Sequence, residues 1–398
     1  MNISVIGAGS WGSAIAWLLG EGEHRVRLWA RSPEVAEAIN REHRNPRYIP
    51  TVLLPASLVA TASLAEALSG ADAVVLATPS SAVRTVAEAM AAVLGEDGTG
   101  SATPLLLLAK GLEIAPPPAP EEHKGDVPFC VPVERAANAA TNVVAPAVGD
   151  VAAEHNRVRP LCAPRPHCAA ATASAAQAPP KLLLDVLAEV LGAPQRLAVL
   201  SGPNHAEEVA QRMLAGTVVA AQSPDVARLF QQALATPEFR VYSSDDCVGV
   251  QLCGAAKNVI AIAAGVAAGL NLGDNLAALL MTRGLAEISR LVTACGGQSQ
   301  TCMGLAGMGD LIVTCASRHS RNRAFGEALA AGVSLEDYQV RTHMVVEGAL
   351  ACRALPALAA TKAVEMPVCE HVRSVVWDGQ PLAEKVASLL ERPAKPEF

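Results

Sequence analysis

Lys257 is the residue whose surroundings most clearly indicate chemistry. It is the one charged residue in the apolar run 247–272. An unpartnered lysine is rare in such a run, and burial lowers its pKa because the charged form loses hydration. Lysines of this kind serve as proton donors and acceptors. The alternative is a lysine that reaches the surface or pairs with a distant carboxylate. The neighbouring Asn258 offers an amide to a substrate oxygen.

A second group of polar residues follows the glycine-rich run 304–309. Asp310 ends this run, and Ser320, Arg321 and Asn322 come soon after it, at a predicted helix start. A hydroxyl, a guanidinium group and an amide at a helix N-terminus suit a phosphate dianion. The alternative is a capped helix whose arginines are merely solvated.

Gly7, Gly9 and Gly12 form G-x-G-x-x-G between the first predicted strand and the first predicted helix. The first glycine permits a tight turn, the second lets a pyrophosphate approach the backbone, and the third lets the helix pack on the strand. The helix N-terminus then favours the negative phosphates. This placement predicts a dinucleotide site. A ligand-free glycine turn and a methyltransferase are the alternatives.

Two basic residues stand where parallel strands are predicted to end. Arg31 follows the second strand, where NAD-specific sites usually carry an acidic residue, so it favours NADP unless it is only solvated. Lys110 follows the strand 105–109, and ligands of open α/β sheets bind at the carboxyl ends of strands. The loop 78–80 stands at another such end.

These residues need a sheet and a set of helices to position them. Apolar runs alternate with helical patterns up to about residue 245, as a parallel sheet requires. The predicted strands are 3–7, 25–29, 73–77, 105–109, 197–200, 217–221 and 239–243. Beyond 245 the helical patterns are 247–268, 274–295, 304–315, 320–331, 345–360 and 382–391. We expect a Rossmann-like α/β dinucleotide-binding domain with a mostly parallel sheet at 1–245, and an all-helical substrate and catalytic domain at 246–398.

Residues 115–180 fit neither pattern. Ala and Pro supply 30 of these 66 residues, and PPPAP at 116–120 cannot be a helix interior. Such composition is typical of a solvated, disordered insertion. The segment also holds histidines and Cys130, Cys162 and Cys168, but no CxxC or HxxxH spacing supports a metal site. We therefore expect no metal.

Composition excludes several classes of protein. The net charge of -7 shows no basic surplus, which argues against a nucleic-acid binder. The N-terminus lacks the features of a signal peptide, and ten cysteines without a CxxC pair indicate cytosolic thiols. The run 247–272 is long enough to span a bilayer, but Gln251, Lys257 and Asn258 near its middle favour a buried core helix. The prediction is a cytoplasmic protein without a membrane span.

Together these pieces resemble the NAD(P)-dependent glycerol-3-phosphate dehydrogenases of the bacterial type. The resemblance rests on IGAGSWGSAIA (6–16), LLAKGLE (107–113), LSGPNHAEEVA (200–210), VQLCGAAKNVIAIAAG (250–265), GDNLAALLMTRGLAEISRL (273–291) and GLAGMGDLIVTCASRHSRNRAFG (304–326). It implies reversible hydride transfer between a nicotinamide and C2 of dihydroxyacetone phosphate or glycerol 3-phosphate, in glycerophospholipid synthesis. It also implies a homodimer.

The resemblance implies a role for each matching residue. Lys257 would be the proton donor and acceptor. Besides the three motif glycines, contacts with NADP(H) or NAD(H) would fall on Ser10, Trp11, Arg31, Lys110, Ala206, Arg321, Val345 and Glu347. Contacts with the substrate would fall on Lys110, Gly202, Asn204, Lys257, Asp310, Ser320, Arg321 and Asn322. The sequence departs from the common pattern at Asn204, usually Ser or Thr, and at His205, usually Phe.

Two other functions stay open at this point. A Rossmann dehydrogenase could act on another phosphorylated or hydroxy-acid substrate, although the run 319–322 favours a phosphate. A dinucleotide-sensing protein without catalysis is the other, although Lys110, Lys257 and Asp310 argue against it.

Overall fold

The computed structural model describes residues 1–22, 24–96, 103–114 and 178–391. The predicted insertion 115–180, with its three cysteines, therefore lies outside the described residues except for 178–180. The described residues on its two sides belong to one compact unit. Within the described residues every cysteine is a free thiol, as the sequence predicts.

An eight-stranded, mostly parallel sheet confirms the predicted fold class. Ten strands are described in all: β1 (Asn2–Ile6), β2 (Arg25–Trp29), β3 (Val59–Thr61), β4 (Ala73–Leu76), β5 (Leu105–Leu107), β6 (Leu112–Glu113), β7 (Lys181–Leu182), β8 (Leu197–Ser201), β9 (Ala215–Ala221) and β10 (Phe239–Ser244). The large sheet has the order β10-β9-β8-β5-β4-β1-β2-β3, and β6 pairs with β7 separately. β8 and β9 are antiparallel, whereas the other neighbours in the large sheet are parallel.

Seven helices accompany the sheet: α1 (Ser10–Glu21), α2 (Pro33–Glu42), α3 (Leu64–Leu68), α4 (Val83–Glu96), α5 (Leu183–Leu191), α6 (Ala206–Val209) and α7 (Pro224–Leu234). Local sequence fixes several of their starts. The Ser32 and Ser63 hydroxyls accept backbone N–H groups at the starts of α2 and α3, and prolines begin α2 and α7. The strand order changes direction between β1 and β4, so a ligand crevice is expected at their carboxyl ends.

The remainder of the described chain is helical: α8 (Cys247–Gly269), α9 (Asp274–Ala294), α10 (Ser299–Met303), α11 (Asp310–Ala316), α12 (Arg321–Ala330), α13 (Leu335–Thr342), α14 (Glu347–Thr361), α15 (Pro367–Val376) and α16 (Leu382–Leu390). A π-helical turn, Leu305–Gly309, leads into α11. This agrees with the predicted helical half, although the glycine-rich start of the 304–315 pattern forms the wider π turn. The domain boundary near 245 stays a prediction.

α8 is the buried centre of the helical part. It is long and apolar enough to cross a membrane, but 89% of its most apolar window is buried inside the protein. α12 crosses it at very short range, because Gly265 and Gly326 face each other where side chains would collide. A Cβ on Gly326 would lie 2.2 Å from the carbonyl oxygen of Ile262. This contact holds the middle of α12 close to α8, whereas the Ser320 hydroxyl caps the start of α12.

Candidate active site

The glycine-rich loop has the geometry of a phosphate cradle. Gly7 adopts φ +120°, and a Cβ there would lie 2.7 Å from the carbonyl oxygen of Ala77. A Cβ on Gly12 would lie 1.8 Å from the carbonyl oxygen of Gly7, so α1 packs against the loop itself. Gly9, by contrast, has no atom within 4 Å of its would-be Cβ. It begins α1 without a side-chain cap, which leaves the first backbone N–H groups of that helix available to an anion.

Three further side chains surround this loop. Asn45, which the sequence analysis missed, donates from Nδ2 to the carbonyl oxygen of Ala8 at 2.9 Å and to Ser13 Oγ at 2.8 Å. Trp11 Nε1 and Thr78 Oγ1 are buried and have no hydrogen-bond partner in the described part of the chain. Unsatisfied polar atoms are costly in a protein interior, so their presence beside an open glycine fits a bound cofactor.

Arg31 lies just beyond the carboxyl end of β2. Its side chain is exposed and makes no hydrogen bond with the described residues. Its neighbour Ser32 is occupied in starting α2. The Arg31 guanidinium group is therefore available to a ligand at the edge of the cradle, as a cofactor contact requires.

Asp310 holds two lysines from different parts of the chain. Lys110 Nζ, just after β5, donates to Asp310 Oδ2 at 2.8 Å. Lys257 Nζ, in the middle of α8, donates to Asp310 Oδ1 and to Thr314 Oγ1, the latter at 2.8 Å. The structure shows the alternative in which Lys257 pairs with a distant carboxylate, and the side chain is nevertheless buried. A carboxylate and two ammonium groups thus meet at one point.

Burial and these neighbouring charges set the pKa values of the cluster. Burial lowers the pKa of Lys257 to about 8, with repulsion by Lys110 acting in the same direction and attraction by Asp310 opposing it. Burial opposes ionisation of Asp310, but the two lysines outweigh it and hold the pKa of that carboxyl below its usual range. Lys257 is therefore able to release and recover a proton near neutral pH while Asp310 stays charged.

The end of β8 supplies the other partners of Lys110. Its Nζ lies 3.4 Å from the carbonyl oxygen of Gly202 and 3.3 Å from Asn204 Oδ1. Asn204 Nδ2 donates to Thr217 Oγ1 at 2.9 Å. Ser201 Oγ donates to Asp310 Oδ2 at 3.1 Å. The sequence analysis missed Ser201, Thr217 and Thr314, although Ser201 stands at a strand end and Thr314 lies four residues after Asp310 on one helix.

The predicted phosphate ligands at the start of α12 differ in whether their side chains already have hydrogen-bond partners. Ser320 Oγ accepts the backbone N–H of Arg323 and so caps the helix. Asn322 Nδ2 donates to Asn258 Oδ1 at 2.8 Å, and Asn322 Oδ1 accepts the backbone N–H of Gly348 at 2.9 Å. Ser320 therefore starts α12, whereas Asn322 holds it against α8 and α14. Arg321 is exposed and makes no hydrogen bond with the described residues.

The remaining predicted contacts lie around this cluster. Glu347, at the start of α14, accepts hydrogen bonds from the backbone N–H and hydroxyl of Ser80. Burial raises the pKa of Glu347, and the Ser80 bonds oppose this shift. Ala206 is buried and begins α6, whereas Val345 is exposed in the loop before α14. Hydrogen bonds join Lys110, Gly202, Asn204, Lys257 and Asp310 directly, but none joins Arg31 or Val345 to them.

No group of three or more His, Cys, Asp or Glu side chains among the described residues could hold a metal ion.

Comparison with known proteins decides the family. The sequence matches the N-terminal part of NAD-dependent glycerol-3-phosphate dehydrogenase over residues 2–124 and 126–227, and the C-terminal part over residues 246–387. The chain belongs to this family. A glycerol-3-phosphate dehydrogenase [NAD(P)+] of Nocardia farcinica is 41% identical, with 99% of each chain covered. That of Corynebacterium kroppenstedtii is 39% identical, again with 99% of each chain covered.

A solved structure supports the same family assignment. The glycerol-3-phosphate dehydrogenase of Coxiella burnetii has 31% sequence identity and a TM-score of 0.77, covering 98% of this chain and 99% of its own. The resemblance found in the sequence is therefore confirmed for the family and the fold. The cluster of Lys110, Lys257 and Asp310 joins the end of β5 to α8 and α11.

Proposed function

We propose that this chain is an NAD(P)-dependent glycerol-3-phosphate dehydrogenase that interconverts dihydroxyacetone phosphate and glycerol 3-phosphate. The observation that carries this proposal is the buried Lys257–Asp310–Lys110 cluster, in a chain whose family is established. The names of the relatives in Nocardia and Corynebacterium support the same reaction. The glycine loop with its open Gly9 fits the dinucleotide.

The side chains have distinct tasks in this reaction. The nicotinamide, when bound, supplies the hydride that reaches C2 or accepts the hydride that leaves it. Lys257 donates its proton to the C2 oxygen as negative charge develops there, and withdraws it in the reverse direction. Asp310 keeps the ammonium group of Lys257 oriented, and Lys110 adds positive charge beside the same oxygen. Gly202 and Asn204 line the substrate side of Lys110.

Turnover tests the reaction directly. The purified full-length chain should oxidise NADPH or NADH when dihydroxyacetone phosphate is added, and should reduce the oxidised cofactor with glycerol 3-phosphate. Hydroxy acids and ketopantoate-like keto acids are assayed as alternative substrates, because turnover of one of them would indicate a different dehydrogenase. Cofactor binding without turnover on any of these compounds would instead support a sensing protein and overturn the proposal.

We propose that Arg321 binds the substrate phosphate, because its guanidinium group is exposed at the start of α12 and has no hydrogen-bond partner in the described chain. A hydrogen bond to a charged group contributes roughly 1.5–3 kcal/mol, or about 10-fold or more in affinity. Arg321→Ala should raise KM for dihydroxyacetone phosphate by that factor and leave the poorer use of dihydroxyacetone unchanged. Arg323→Ala is the matched control, since Arg323 pairs with Glu327. An equal loss with both substrates would contradict a phosphate contact.

We propose that the cofactor site accepts NADPH as well as NADH, because Arg31 replaces the acidic residue that would select NAD. Arg31→Asp should shift the ratio of kcat/KM values towards NADH. If the variant has the same ratio of kcat/KM values for NADPH and NADH as the unaltered chain, Arg31 does not contact the cofactor.

We further propose a cytoplasmic homodimer with a dinucleotide-binding domain up to about residue 245 and a helical catalytic domain after it. The sequence resemblance implies the dimer and the role in glycerophospholipid synthesis. The change from strands to helices after β10 supports the boundary. Sedimentation equilibrium of the purified chain tests the dimer.

A further inference from the structure

The position of Thr217 connects the sheet to Lys110. β9 runs antiparallel to β8, and Ser201, the last residue of β8, pairs with Val218 near the start of β9. A parallel strand would have placed its start at the opposite edge of the sheet. The reversal of β9 therefore brings the start of that strand to the edge where Lys110 lies.

Thr217 is fully buried there and its hydroxyl uses both of its hydrogen-bonding functions. Oγ1 donates to the carbonyl oxygen of Ser201 at 3.1 Å and accepts from Asn204 Nδ2 at 2.9 Å. The backbone packs closely at the same point, since a Cβ on Gly202 would lie 2.7 Å from Thr217 Cα. Thr217 is thus fixed in position by its strand and by its neighbours.

The chain of contacts then continues to the reacting groups. Asn204 is itself buried, and with its amide nitrogen held by Thr217 its Oδ1 faces Lys110 Nζ at 3.3 Å. Lys110 donates to Asp310, which also holds Lys257. Thr217 makes no hydrogen bond with Lys110, Lys257 or Asp310 itself. Two routes connect it to them: Asn204, which faces Lys110, and Ser201, whose hydroxyl donates to Asp310.

We propose that Thr217 is a positioning residue that holds the Asn204 amide in the orientation that places the Lys110 ammonium group. This inference rests on the proposed function, because it concerns the reaction that Lys110 assists. Without the Thr217 hydroxyl, the Asn204 amide can turn and present an N–H group to the ammonium of Lys110 in place of its oxygen. Lys110 would then lose one of its acceptors and move from the substrate.

Two substitutions at Thr217 separate the hydroxyl from the packing. Thr217→Val keeps the shape of the side chain and removes the hydroxyl, whereas Thr217→Ser keeps the hydroxyl and removes a methyl group. We expect Thr217→Val to lower kcat/KM for dihydroxyacetone phosphate about 10-fold, as the loss of the buried hydrogen bond to Asn204 allows. Thr217→Ser should recover most of this loss. Ser4→Ala, which removes another buried strand hydroxyl that bonds to the carbonyl oxygen of Ala67, should leave kcat/KM unchanged.

A double-mutant cycle tests the route through Asn204. If Thr217 acts only by orienting that amide, Thr217→Val should have little further effect in a chain that already carries Asn204→Ala. Additive losses, or equal losses in Thr217→Val and Thr217→Ser, would overturn the inference. Melting temperatures of all variants show whether each chain is folded. If the unaltered chain does not turn over dihydroxyacetone phosphate, the proposed function fails. If it does and the variants match it, only the role of Thr217 fails.

Discussion

At the scale of single residues, Lys257 is both buried and paired, as a charged side chain in a protein interior must be. It is buried in an apolar helix, and it also has a carboxylate and a hydroxyl as partners. Asp310 favours the charged form, and burial together with Lys110 favours the neutral form. Because burial outweighs the attraction of Asp310, the pKa of Lys257 falls to about 8, so both protonation states are accessible near that pH, as a proton donor and acceptor needs.

Lys257→Met tests this role. Methionine keeps the volume and the apolar contacts of the side chain but has no proton to transfer. We expect kcat to fall by about 10²-fold or more, since general acid–base catalysis typically contributes 10²–10⁴. Cofactor affinity, measured by fluorescence titration, should change little. A near-normal kcat would make Lys257 structural, and the proton would have to come from Lys110 or from water.

The pH dependence of the two directions provides a second measurement of the same role. Reduction of dihydroxyacetone phosphate needs protonated Lys257, so its rate should fall as the pH rises through about 8, the pKa of Lys257. Oxidation of glycerol 3-phosphate needs the neutral amine, so its rate should rise over the same interval. If both rates rise, or both fall, as the pH increases through about 8, the titrating group is not Lys257.

At the scale of elements, the sequence predicted those helix and strand limits that the local hydrophobic pattern determines. β2 has the predicted limits, and α8 and α9 begin at the predicted residues 247 and 274. The antiparallel direction of β9 was not predicted, because the hydrophobic pattern of a short apolar run does not show whether the strand pairs parallel or antiparallel with its neighbour. The short strand β3 was missed for a similar reason, since Val59–Thr61 is too short to show a period.

In the site, too, features formed by neighbouring residues could be predicted, whereas contacts between distant residues could not. The glycine loop and its helix could be predicted because neighbouring residues form them. The ion pair between Lys257 and Asp310 joins residues 53 positions apart, and its existence depends on how α8 and α11 pack. Asn322 was predicted as a phosphate ligand, but its amide bonds to Asn258 and to the backbone of Gly348. Such contacts come from helix packing, which periodicity does not specify.

Packing of α12 on α8 gives a prediction about elements. Alanine at position 326 would place its Cβ 2.2 Å from the carbonyl oxygen of Ile262, so α12 must move away. Overpacking of this kind typically costs about 1–3 kcal/mol of stability. The shift would also displace Arg321 at the start of the helix. We therefore expect Gly326→Ala to lower the melting temperature and to raise KM for dihydroxyacetone phosphate.

A second helical glycine gives the matched control. Gly95 lies in α4, and no atom lies within 4 Å of its would-be Cβ. Gly95→Ala should therefore stabilise the protein by about 0.5–1 kcal/mol, because alanine restricts the unfolded chain and favours the helix. Equal melting temperatures for the two variants would show that α12 is free to move on α8.

At the scale of the whole molecule, the described residues close into one unit on both sides of the segment 115–177. Glu113 in β6 pairs in register with Lys181 in β7, so the two ends of the intervening chain start from neighbouring points. Arg84 strengthens this junction through ion pairs with Glu113 and Glu189. The connection therefore needs no more length than a tight loop between two strands.

Replacing residues 116–177 by a short Gly/Ser linker tests whether the fold depends on them. Because β6 and β7 already hold the ends together, we expect the shortened chain to fold with a melting temperature close to that of the full chain. Closing a shorter loop costs slightly less entropy, by about 0.6 kcal/mol for each halving of its length. KM for both substrates should also stay close to its original value, since Lys110 is held by Asp310 and Asn204 rather than by this segment. Failure to fold, or stoichiometric zinc in the full chain that is absent from the shortened one, would show that residues 116–177 form a structural or metal-binding part of the enzyme.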